Sequence, residues 1–451
     1  MSGLAQGLLI PILSFYPGDI GYSVGQQTSV QGLYWFPLAL RIFFALVTDN
    51  VTYGGYRRRS AMFFGWSIAT LSVVVLMILS NTQVTTGASP PRDAPSLPLL
   101  GSCIFFYAMG VNFATVVADG MAAEKYQLEG KTKGTFLTSC LVLRFVGEFI
   151  AATSSTFLYS GAGSIGVFAF MALFPSSILF LIMYLEEDVS VKDVPGFKKN
   201  LATLWEVLQK RAAWQSMGFF FIFSSIRLEN STFWDFLELT LRFTETQINM
   251  VAAFAVFAAL GGVITYKYCF MFWSWKILYC STTVMSFFGC LFQILQVQGF
   301  TFSISQFVFA FFSQGYLAYI DGIQLVPIFL IIACLCPKGG EATAFALFLS
   351  IENLATFVNH SIVKMLERYF NVTEATLLDP VLARSGVTKL TITVGSLSLL
   401  GMLSLQLMPH NYQELDRWKK TTWRPGGFLV IAMVFLGLAY TTLYAIVILA
   451  I

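Results

Sequence analysis

The stretch LVTDNVTYGGYRRRSAM, residues 46–62, places one acidic residue and three consecutive arginines between two long apolar runs. Gly54 and Gly55 permit a tight turn, because glycine adopts backbone conformations that other residues avoid. The arginines suit the anionic headgroups of a membrane surface. Asp49, which precedes the turn, can cap or pair with a neighbouring helix end. The stretch therefore predicts a short loop between two membrane spans that carries more polar chemistry than an anchor requires.

The composition also indicates a membrane protein. Of the 451 residues, 56% are hydrophobic and 11% are charged, and the mean hydropathy is +0.71. Soluble domains carry about 25% charged residues. The apolar residues form continuous runs of about 20, the length of a spanning helix, whereas barrel strands alternate. We therefore expect a multi-span α-helical membrane protein, and the net charge of +3 gives no reason to expect a nucleic-acid partner.

Thirteen apolar runs can be read along the chain: 4–16, 28–48, 61–80, 97–119, 135–157, 164–186, 213–229, 246–268, 277–297, 303–336, 341–364, 387–409 and 427–451. The longest internal loop separates six runs from seven. Six spans on either side of a charged loop are typical of transporters built from two repeated halves. We predict a first six-span half, a central loop, a second six-span half, and a linker with one additional span, at 1–186, 187–212, 213–409 and 410–451.

The basic residues are distributed unevenly between the loops. One set of alternate loops holds 18 Lys and Arg and the other set holds 4. Because cytoplasmic loops are enriched in basic residues, the first set, and the N-terminus with it, is predicted to be cytoplasmic. Two glycosylation sequons, at Asn230 and Asn371, then fall on the outer side, in agreement with this orientation.

Three stretches resemble segments of the folate–biopterin transporter family: WFPLALRIFFALVTDNVTYGGYRRRSAMFFGW (35–66), ADGMAAEKYQLEG (118–130) and CPKGGEATAFALFLSIENL (336–354). The last is the strongest match. The loop after the second span also resembles the corresponding motif of the major facilitator superfamily, although Ala45 stands where that motif has its first glycine. The additional thirteenth span is similar to that of protist members.

This resemblance implies an all-α transmembrane bundle of the major facilitator type, with two six-helix halves plus one extra C-terminal span. It implies a monomeric secondary transporter in the plasma membrane that moves a folate- or pterin-like solute by alternating access, coupled to protons. No cofactor or metal is expected. A carrier for another small organic solute, and a transport-dead scaffold or receptor, are the alternatives. An enzyme is disfavoured, because His360 and His410 each lack a catalytic partner in the sequence.

Charged and polar residues inside the spans are the candidate site, because ionisable groups in a bilayer are rare and usually functional. Arginine also binds carboxylates through a two-pronged contact. We predict that the solute is bound by Arg41, Arg144, Glu148, Asp321, Gln324 and Asn353. We predict that proton coupling uses Asp119, Asp321 and Glu148.

Each of these charges also has a structural alternative. Arg41 can serve as a partner for a carboxylate or carbonyl group within the bundle. Arg144 and Glu148 lie one helical turn apart on one face and can neutralise each other. Asp119 can form a salt bridge at the cytoplasmic end of its span, and Asp321 can bond to a neighbouring helix.

Two further questions stay open from the sequence. Either Glu352 or Asn353 is expected to face the cavity, because both lie deep in the same span. Arg227 and Glu229 are interpreted as vestibule or gate charges near the outer face, with central ligands as the weaker alternative.

The opening stretch is predicted to form a conformational latch that holds one transport state. Its residues are Asp49, Gly55, Arg57, Arg58, Arg59 and Glu341. Glu341 begins a predicted helix, where the macrodipole favours a carboxylate, and a simple cap is its alternative role.

Overall fold

The computed structural model describes residues 2–22, 24–52, 55–84, 96–128, 134–185, 187 and 196–450. Within these ranges the regular structure is helical, apart from one isolated bridge between Lys210 and Thr422. The α-helices are α1 Ser2–Asp19, α2 Val24–Ala39, α3 Arg41–Asn50, α4 Arg58–Val84, α5 Leu97–Leu128, α6 Thr135–Ile182, α7 Phe197–Leu208, α8 Arg211–Ile226, α9 Thr232–Asp235, α10 Glu245–Thr265, α11 Trp275–Gln298, α12 Gln306–Leu335, α13 Glu341–Tyr369, α14 Glu374–Leu377, α15 Pro380–Leu400, α16 Tyr412–Trp418 and α17 Arg424–Ala450.

Many of these helices have the length and composition of membrane spans. In the described ranges, nine segments are long and apolar enough to cross a membrane, and the bent pair α2–α3 makes a tenth. Two of the nine belong to α6, which Gly163 interrupts with a φ of 64°. The thirteen spans of the sequence remain a prediction, because shorter apolar helices such as Arg424–Tyr440 fall outside that measure.

The predicted run 28–48 is not one straight helix. It forms α2 and α3, which are bent by 43° at a break after Ala39. Pro37 lies inside the last turn of α2, and proline bends helices because it lacks an N–H donor and its ring is bulky. The bend makes Arg41 the first residue of α3.

Helix ends elsewhere follow ordinary capping chemistry. Thr244 and Gln247 form a reciprocal capping box at the start of α10. The Asp379 carboxylate accepts hydrogen bonds from two backbone N–H groups at the start of α15, where Pro380 occupies the first turn. Such caps satisfy N–H groups that have no partner within the helix.

The helices form two compact units. The first unit comprises 1–207, 332–350 and 434–451, and the second comprises 208–331 and 351–433. These units are groups of residues that contact one another closely. The two six-span halves predicted from the sequence are a different kind of division, and they stay a prediction.

Within the first unit, glycines allow helices to meet at their backbones. A Cβ atom on Gly110 would lie 2.5 Å from the carbonyl oxygen of Gly65, which brings α5 against α4. A Cβ atom on Gly3 would lie 2.0 Å from the carbonyl oxygen of Arg144, which brings α1 against α6. The apolar core beside these crossings includes Ile12, Trp66, Tyr107 and Phe168, among other buried side chains.

The second unit contains a comparable close crossing. A Cβ atom on Gly322 would lie 2.1 Å from the carbonyl oxygen of Ala259, and one on Gly262 would lie 2.1 Å from that of Tyr319. Small residues let spanning helices approach closely. This contact between α10 and α12 fixes the backbone next to Asp321.

Candidate functional site

A cluster of four charges lies in the first unit where α3 ends and α4 and α13 begin. We call Asp49, Arg57, Arg58 and Glu341 the four-charge cluster. Oδ1 of Asp49 lies 2.6 Å from Nη2 of Arg57 and 2.8 Å from Nη1 of Arg58. Its Oδ2 accepts two 2.7 Å hydrogen bonds, from the backbone N–H and the hydroxyl of Thr343. Asp49 is fully buried, and both oxygens of its carboxylate contact groups of the protein.

Glu341 supplies the second carboxylate of the cluster. Its Oε2 lies 3.8 Å from Nη2 of Arg57 and 3.6 Å from Nη2 of Arg58, and its Oε1 accepts a 2.7 Å bond from the N–H of Gly339. Arg57 also donates to the carbonyl oxygen of Gly339 at 2.9 Å. Two guanidiniums thus face two carboxylates, so the cluster is balanced. Charges this deeply buried are tolerated only when paired.

The local backbone explains how these side chains meet. Gly55 has a φ of 83°, a conformation that favours glycine, and it turns the chain into α4. Gly54 of the predicted turn lies outside the described residues. A Cβ atom on Gly120 would lie 2.7 Å from the side chain of Ala342 and 3.2 Å from Nη1 of Arg58. The absence of a side chain at Gly120 therefore leaves room for the Arg58 guanidinium.

A carboxylate not identified from the sequence caps α4. Oε1 of Glu187 accepts hydrogen bonds from the backbone N–H groups of Arg57 and Arg58 at 3.1 and 2.8 Å, and Oε2 accepts one from Arg59 at 3.0 Å. A negative charge is favoured there by the helix dipole. The Arg59 guanidinium lies 4.8 Å from the centre of the Tyr56 ring. Arg59, predicted as part of the latch, thus joins the loop through its backbone.

The predicted polar residues of the first unit also gather together. Arg41 is buried and donates from Nε and Nη2 to Oδ1 of Asn112, both at 3.3 Å. Asp119 interacts electrostatically with Arg144 and Arg41, and Glu148 with Arg144. Four predicted residues from three different helices, α3, α5 and α6, are therefore neighbours.

Arg144 has a partner that the sequence did not indicate. Its Nη2 donates to Oε1 of Gln6 in α1 at 3.3 Å. Within the described part of the chain, no ion pair of 4.0 Å or less joins Arg144 to Glu148. Their spacing along α6 places them on one face, but the Arg144 fork turns towards α1.

The second unit contains a polar cavity of about 190 Å³. Its lining residues come from α8 and the segment that follows it, and from α11, α12 and α13: Phe223, Ser224, Arg227, Glu229, Tyr279, Asp321, Gln324, Leu325, Ile328, Glu352, Thr356 and Asn359. Glu352 therefore faces the cavity. Asn353, predicted to bind the solute, is not among the lining residues, because one step along an α-helix turns the side chain by about 100°.

Arg227 organises one wall of this cavity. Its guanidinium pairs with Oδ1 of Asp321 and donates to Oε1 of Gln324. Gln324 in turn donates from Nε2 to Oγ1 of Thr282 at 2.8 Å, and Tyr279 donates its hydroxyl to the Gln324 carbonyl at 2.6 Å. The Asp321 side chain remains 46% exposed and the Arg227 side chain 22% exposed, so the pair borders open space.

Arg227 can reach that wall because α8 ends at the residue before it. α8 ends at Ile226, and Arg227 has a non-helical ψ of 82°. Nδ2 of Asn359 donates to the carbonyl oxygens of Ser224, at 3.0 Å, and of Arg227, while its Oδ1 accepts from the N–H of Glu229 at 3.2 Å. One buried amide thus satisfies three backbone groups that the break releases, as buried polar groups require.

The break is also tied to α15. The N–H of Leu228 donates to Oγ of Ser398 at 3.1 Å. Irregular backbone at membrane depth occurs where it is buried in protein or lines a cavity.

Sequence reasoning placed Arg227 near the outer face as a gate charge and did not identify Asn359. The polar run SSIRLENS, which interrupts the apolar residues of this span, is the signal that could have indicated the break.

Within the described ranges, no group of three or more His, Cys, Asp or Glu residues is placed to hold a metal ion. The seven cysteines are all free.

Comparison with known proteins identifies the family and the fold of the chain. The model of the BT1 family matches residues 2–414. The folate–biopterin transporter of Synechocystis sp. is 24% identical over 407 residues, which cover 88% of this chain and 79% of that protein. Folate transporter 2 of Plasmodium falciparum is 22% identical over 325 residues, which cover 71% and 68%.

Solved structures show the same fold. The major facilitator superfamily proton:xylose symporter XylE matches with a TM-score of 0.65 at 13% identity, over 93% of this chain and 97% of that one. The E. coli fucose:proton symporter FucP matches with a TM-score of 0.57 at 11% identity, over 87% and 95%. The chain is therefore a multi-pass membrane transporter with the major facilitator fold, and it belongs to the BT1 family.

Proposed function

We propose that the protein is a secondary active transporter that moves a folate- or pterin-like solute by alternating access, with protons as the coupling ion. The observation that carries the proposal is the match over most of the chain to curated proteins named as folate or folate–biopterin transporters. The protein would act as a monomer in the plasma membrane, with its N-terminus in the cytoplasm.

The arginines of the first unit suit the carboxylates of such a solute. Arg41 is held by a single amide oxygen and Arg144 by another. The Arg144 fork donates to Gln6 from one terminal nitrogen, which leaves donors of that guanidinium for a carboxylate. Glu148 and Asp119 supply the neighbouring negative charge, and we assign both to proton coupling.

Asp321 is the coupling carboxylate of the second unit in this proposal. It is half exposed to the cavity and paired with Arg227. Protonation would remove the charge that holds the Arg227 guanidinium, and so free Arg227 to move. Gln324 would follow, because it accepts from the same guanidinium. Asn353 is retained as a solute contact for a state in which α13 has turned.

The four-charge cluster is proposed as the latch. Its charges are buried and balanced, so it stabilises the state in which it is assembled. A transport cycle that moves α13 away from α3 and α4 would have to expose these charges to water, which makes the cluster a switch between two states.

Uptake into proteoliposomes tests the proposal. Labelled folate and biopterin should accumulate when the outside is made acidic, and accumulation should fall when a protonophore dissipates the pH gradient. The Arg144→Ala variant provides the matched control. Uptake of every pterin and folate at the level of that variant would overturn the substrate class. Uptake that ignores the pH gradient would overturn proton coupling alone.

A further inference from the structure

We infer that the second unit binds an anionic phospholipid on the surface formed by the start of α8 and the linker between α15 and α17. We call this surface the linker patch, and its residues are Lys210, Arg211, Arg417, Lys420, Trp423 and Arg424. None of them lines the cavity or belongs to the four-charge cluster. The inference therefore does not depend on which solute the protein carries.

The linker is held at the ends of apolar helices. At its start, the carbonyl oxygen of His410 accepts a 2.9 Å hydrogen bond from the N–H of Trp275, the first residue of α11. α11 is one of the segments long and apolar enough to cross a membrane. The linker then runs into α17 at Arg424, which begins another apolar helix. Because spanning helices end at the membrane surface, the linker lies in the headgroup layer.

Backbone hydrogen bonds join the linker to the start of α8. The N–H of Arg211 donates to the carbonyl oxygen of Thr421 at 2.8 Å, and the N–H of Trp423 donates to that of Gln209 at 2.7 Å. These two bonds flank the isolated bridge described above. Basic residues from two distant parts of the sequence are therefore held side by side.

Aromatic rings complete this junction. The Arg211 guanidinium lies 5.0 Å from the centre of the Trp418 ring, and the centres of the Trp214 and Trp423 rings lie 4.9 Å apart. A Cβ atom on Gly426 would lie 2.4 Å from the Trp214 ring, so α17 starts directly against α8. Trp423 is 48% exposed. A partly exposed tryptophan at the start of apolar helices is typical of the membrane interface.

Three cations of the patch are available to a ligand. Arg417, Lys420 and Arg424 are exposed, and among the described residues no ion pair of 4.0 Å or less joins them to a carboxylate. The N–H of Lys420 donates to the carbonyl oxygen of Arg417 at 3.1 Å, so the two residues lie one turn apart. Side chains at this spacing share a face.

The acidic residues of the linker do not neutralise these cations. Oδ1 of Asp416 lies 2.8 Å from Nζ of Lys419. Oε2 of Glu414 accepts a 2.6 Å hydrogen bond from the N–H of His410. The linker patch therefore keeps a net positive charge, and basic clusters next to a membrane helix attract anionic headgroups.

Apolar side chains are exposed directly beside the positive charge. Phe428 and Leu429 in α17 are 64% and 47% exposed, and Phe428 follows Arg424 by four residues, on the same face of the helix. The surface thus changes from cationic to apolar within one helical turn. A phospholipid has its phosphate and its hydrocarbon chains in the same order, whereas a soluble anion would leave the apolar part uncovered.

Binding of labelled phosphatidylglycerol and phosphatidylcholine to the purified full-length protein, in a neutral detergent, tests the inference. The wild-type protein should prefer phosphatidylglycerol, and added salt should weaken the preference by screening exposed charges. Each basic side chain near the surface contributes about fivefold in affinity. The triple variant Arg417→Gln, Lys420→Gln, Arg424→Gln should therefore bind phosphatidylglycerol about tenfold to a hundredfold more weakly and keep its affinity for phosphatidylcholine.

The matched control removes the same charge from exposed positions in other loops, with Lys198→Gln, Lys199→Gln and Lys338→Gln. It should keep the wild-type preference. Equal losses in the two triple variants would show attraction to the overall charge of the protein and would overturn the site. Glycerol 1-phosphate, which has the phosphate without the chains, should not displace the lipid; displacement at equal concentration would assign the patch to a soluble anion instead.

The wild-type protein alone also decides the question. Equal affinities for phosphatidylglycerol and phosphatidylcholine would overturn the inference, and so would a preference that salt leaves unchanged. These measurements remain decisive if the triple variant of the patch does not fold.

Discussion

The four-charge cluster of the first unit and the cavity of the second unit use the same side chains in opposite ways. In the cluster, two arginines face two carboxylates, and the four side chains are at most 7% exposed. In the cavity, one arginine faces three carboxylates, and Asp321 is 46% exposed. A balanced and buried set holds a structure together, whereas an unbalanced set beside open space keeps capacity for a ligand or a proton.

The largest expected effect comes from Asp49→Asn, which removes the central charge of the four-charge cluster and keeps the size of the side chain. Arg57 and Arg58 would then be buried against Glu341 alone. Breaking a buried pair in this way costs about 3–5 kcal/mol. The temperature at which the purified protein unfolds should fall clearly below that of the wild type.

Arg59→Gln is the matched control for that experiment. It removes a positive charge from the same loop, but the Arg59 side chain lies over the Tyr56 ring and outside the ion pairs. Its expected cost is about 0.5–1 kcal/mol. If Asp49→Asn and Arg59→Gln lower the unfolding temperature equally, the balance of charge in the cluster is not what stabilises it.

The next largest effect is expected from Asn359→Leu, which tests how the cavity wall is held in place. Asn359→Leu should leave two carbonyl oxygens and one N–H at the break of α8 without their partner. Each unsatisfied buried group costs about 1–3 kcal/mol, although relaxation of the break recovers part of it. We expect a loss of about 2 kcal/mol in stability and a larger KM for the solute, since Arg227 loses its fixed position. The neighbouring exposed residue, His360, provides the control. His360→Gln should change neither the stability nor the KM.

A double-mutant cycle compares the strength of the two sets of charges directly. Arg227→Gln and Asp321→Asn should couple by about 1 kcal/mol, because water screens the half-exposed Asp321. The corresponding cycle with Arg57→Gln and Asp49→Asn should couple more strongly, since both side chains are buried. Equal coupling energies in unfolding measurements would contradict the distinction drawn between the cluster and the cavity.

The smallest effect concerns a third group of charges, outside the membrane-spanning segments. Burial raises the pKa of Asp235 above its ordinary value of 3.8, and the neighbouring carboxylates of Glu367, Glu238 and Glu374 raise it further. A raised carboxyl pKa means that the folded state favours the protonated form, so this group adds stability at low pH and loses it as pH rises through the raised pKa.

Asp235→Asn should therefore stabilise the protein at pH 7 and have no benefit near pH 4. The gain should be below about 1 kcal/mol, because the Asp235 carboxyl is only partly withdrawn from water and the accessible part of the residue lets solvent screen its charge. Unfolding temperatures of wild type and variant between pH 4 and 8 check this. A benefit that grows as the pH falls would show that repulsion among these acids is absent.

The sequence predicted the class of fold and named the four charges that meet in the first unit, three from the loop after the second apolar run and Glu341 from the start of a separate helix. Long apolar runs indicate spans, and an Asp, a Gly pair and an Arg triplet in a short gap indicate a polar turn. The sequence analysis assigned the arginines to lipid headgroups, whereas the structure buries Arg57 and Arg58 against carboxylates. That the cluster works as a latch stays a prediction. Glu187 escaped notice because its partners are backbone N–H groups about 130 residues away, for which no side-chain pattern exists.

The cavity could be predicted only in part. Asp321 and Gln324 stood out as polar residues in an apolar span, and the structure places both on the cavity wall. Arg227 was interpreted as a gate charge near the outer face, and its place on the cavity wall was not predicted, because it depends on a break that Asn359 stabilises from another helix. The choice between Glu352 and Asn353 needed the rotation of α13, which a single sequence does not determine.

The amide of Asn359 also constrains how this chain can evolve. Its nitrogen faces two carbonyl oxygens and its oxygen faces an N–H, so the order of donor and acceptor is fixed. Aspartate differs from asparagine by a single nucleotide change, yet a carboxylate would present only acceptors to those carbonyls. A substitution that one nucleotide change can produce is thus among the most damaging, and descendants of this gene should either keep the asparagine or lose it together with the break after α8.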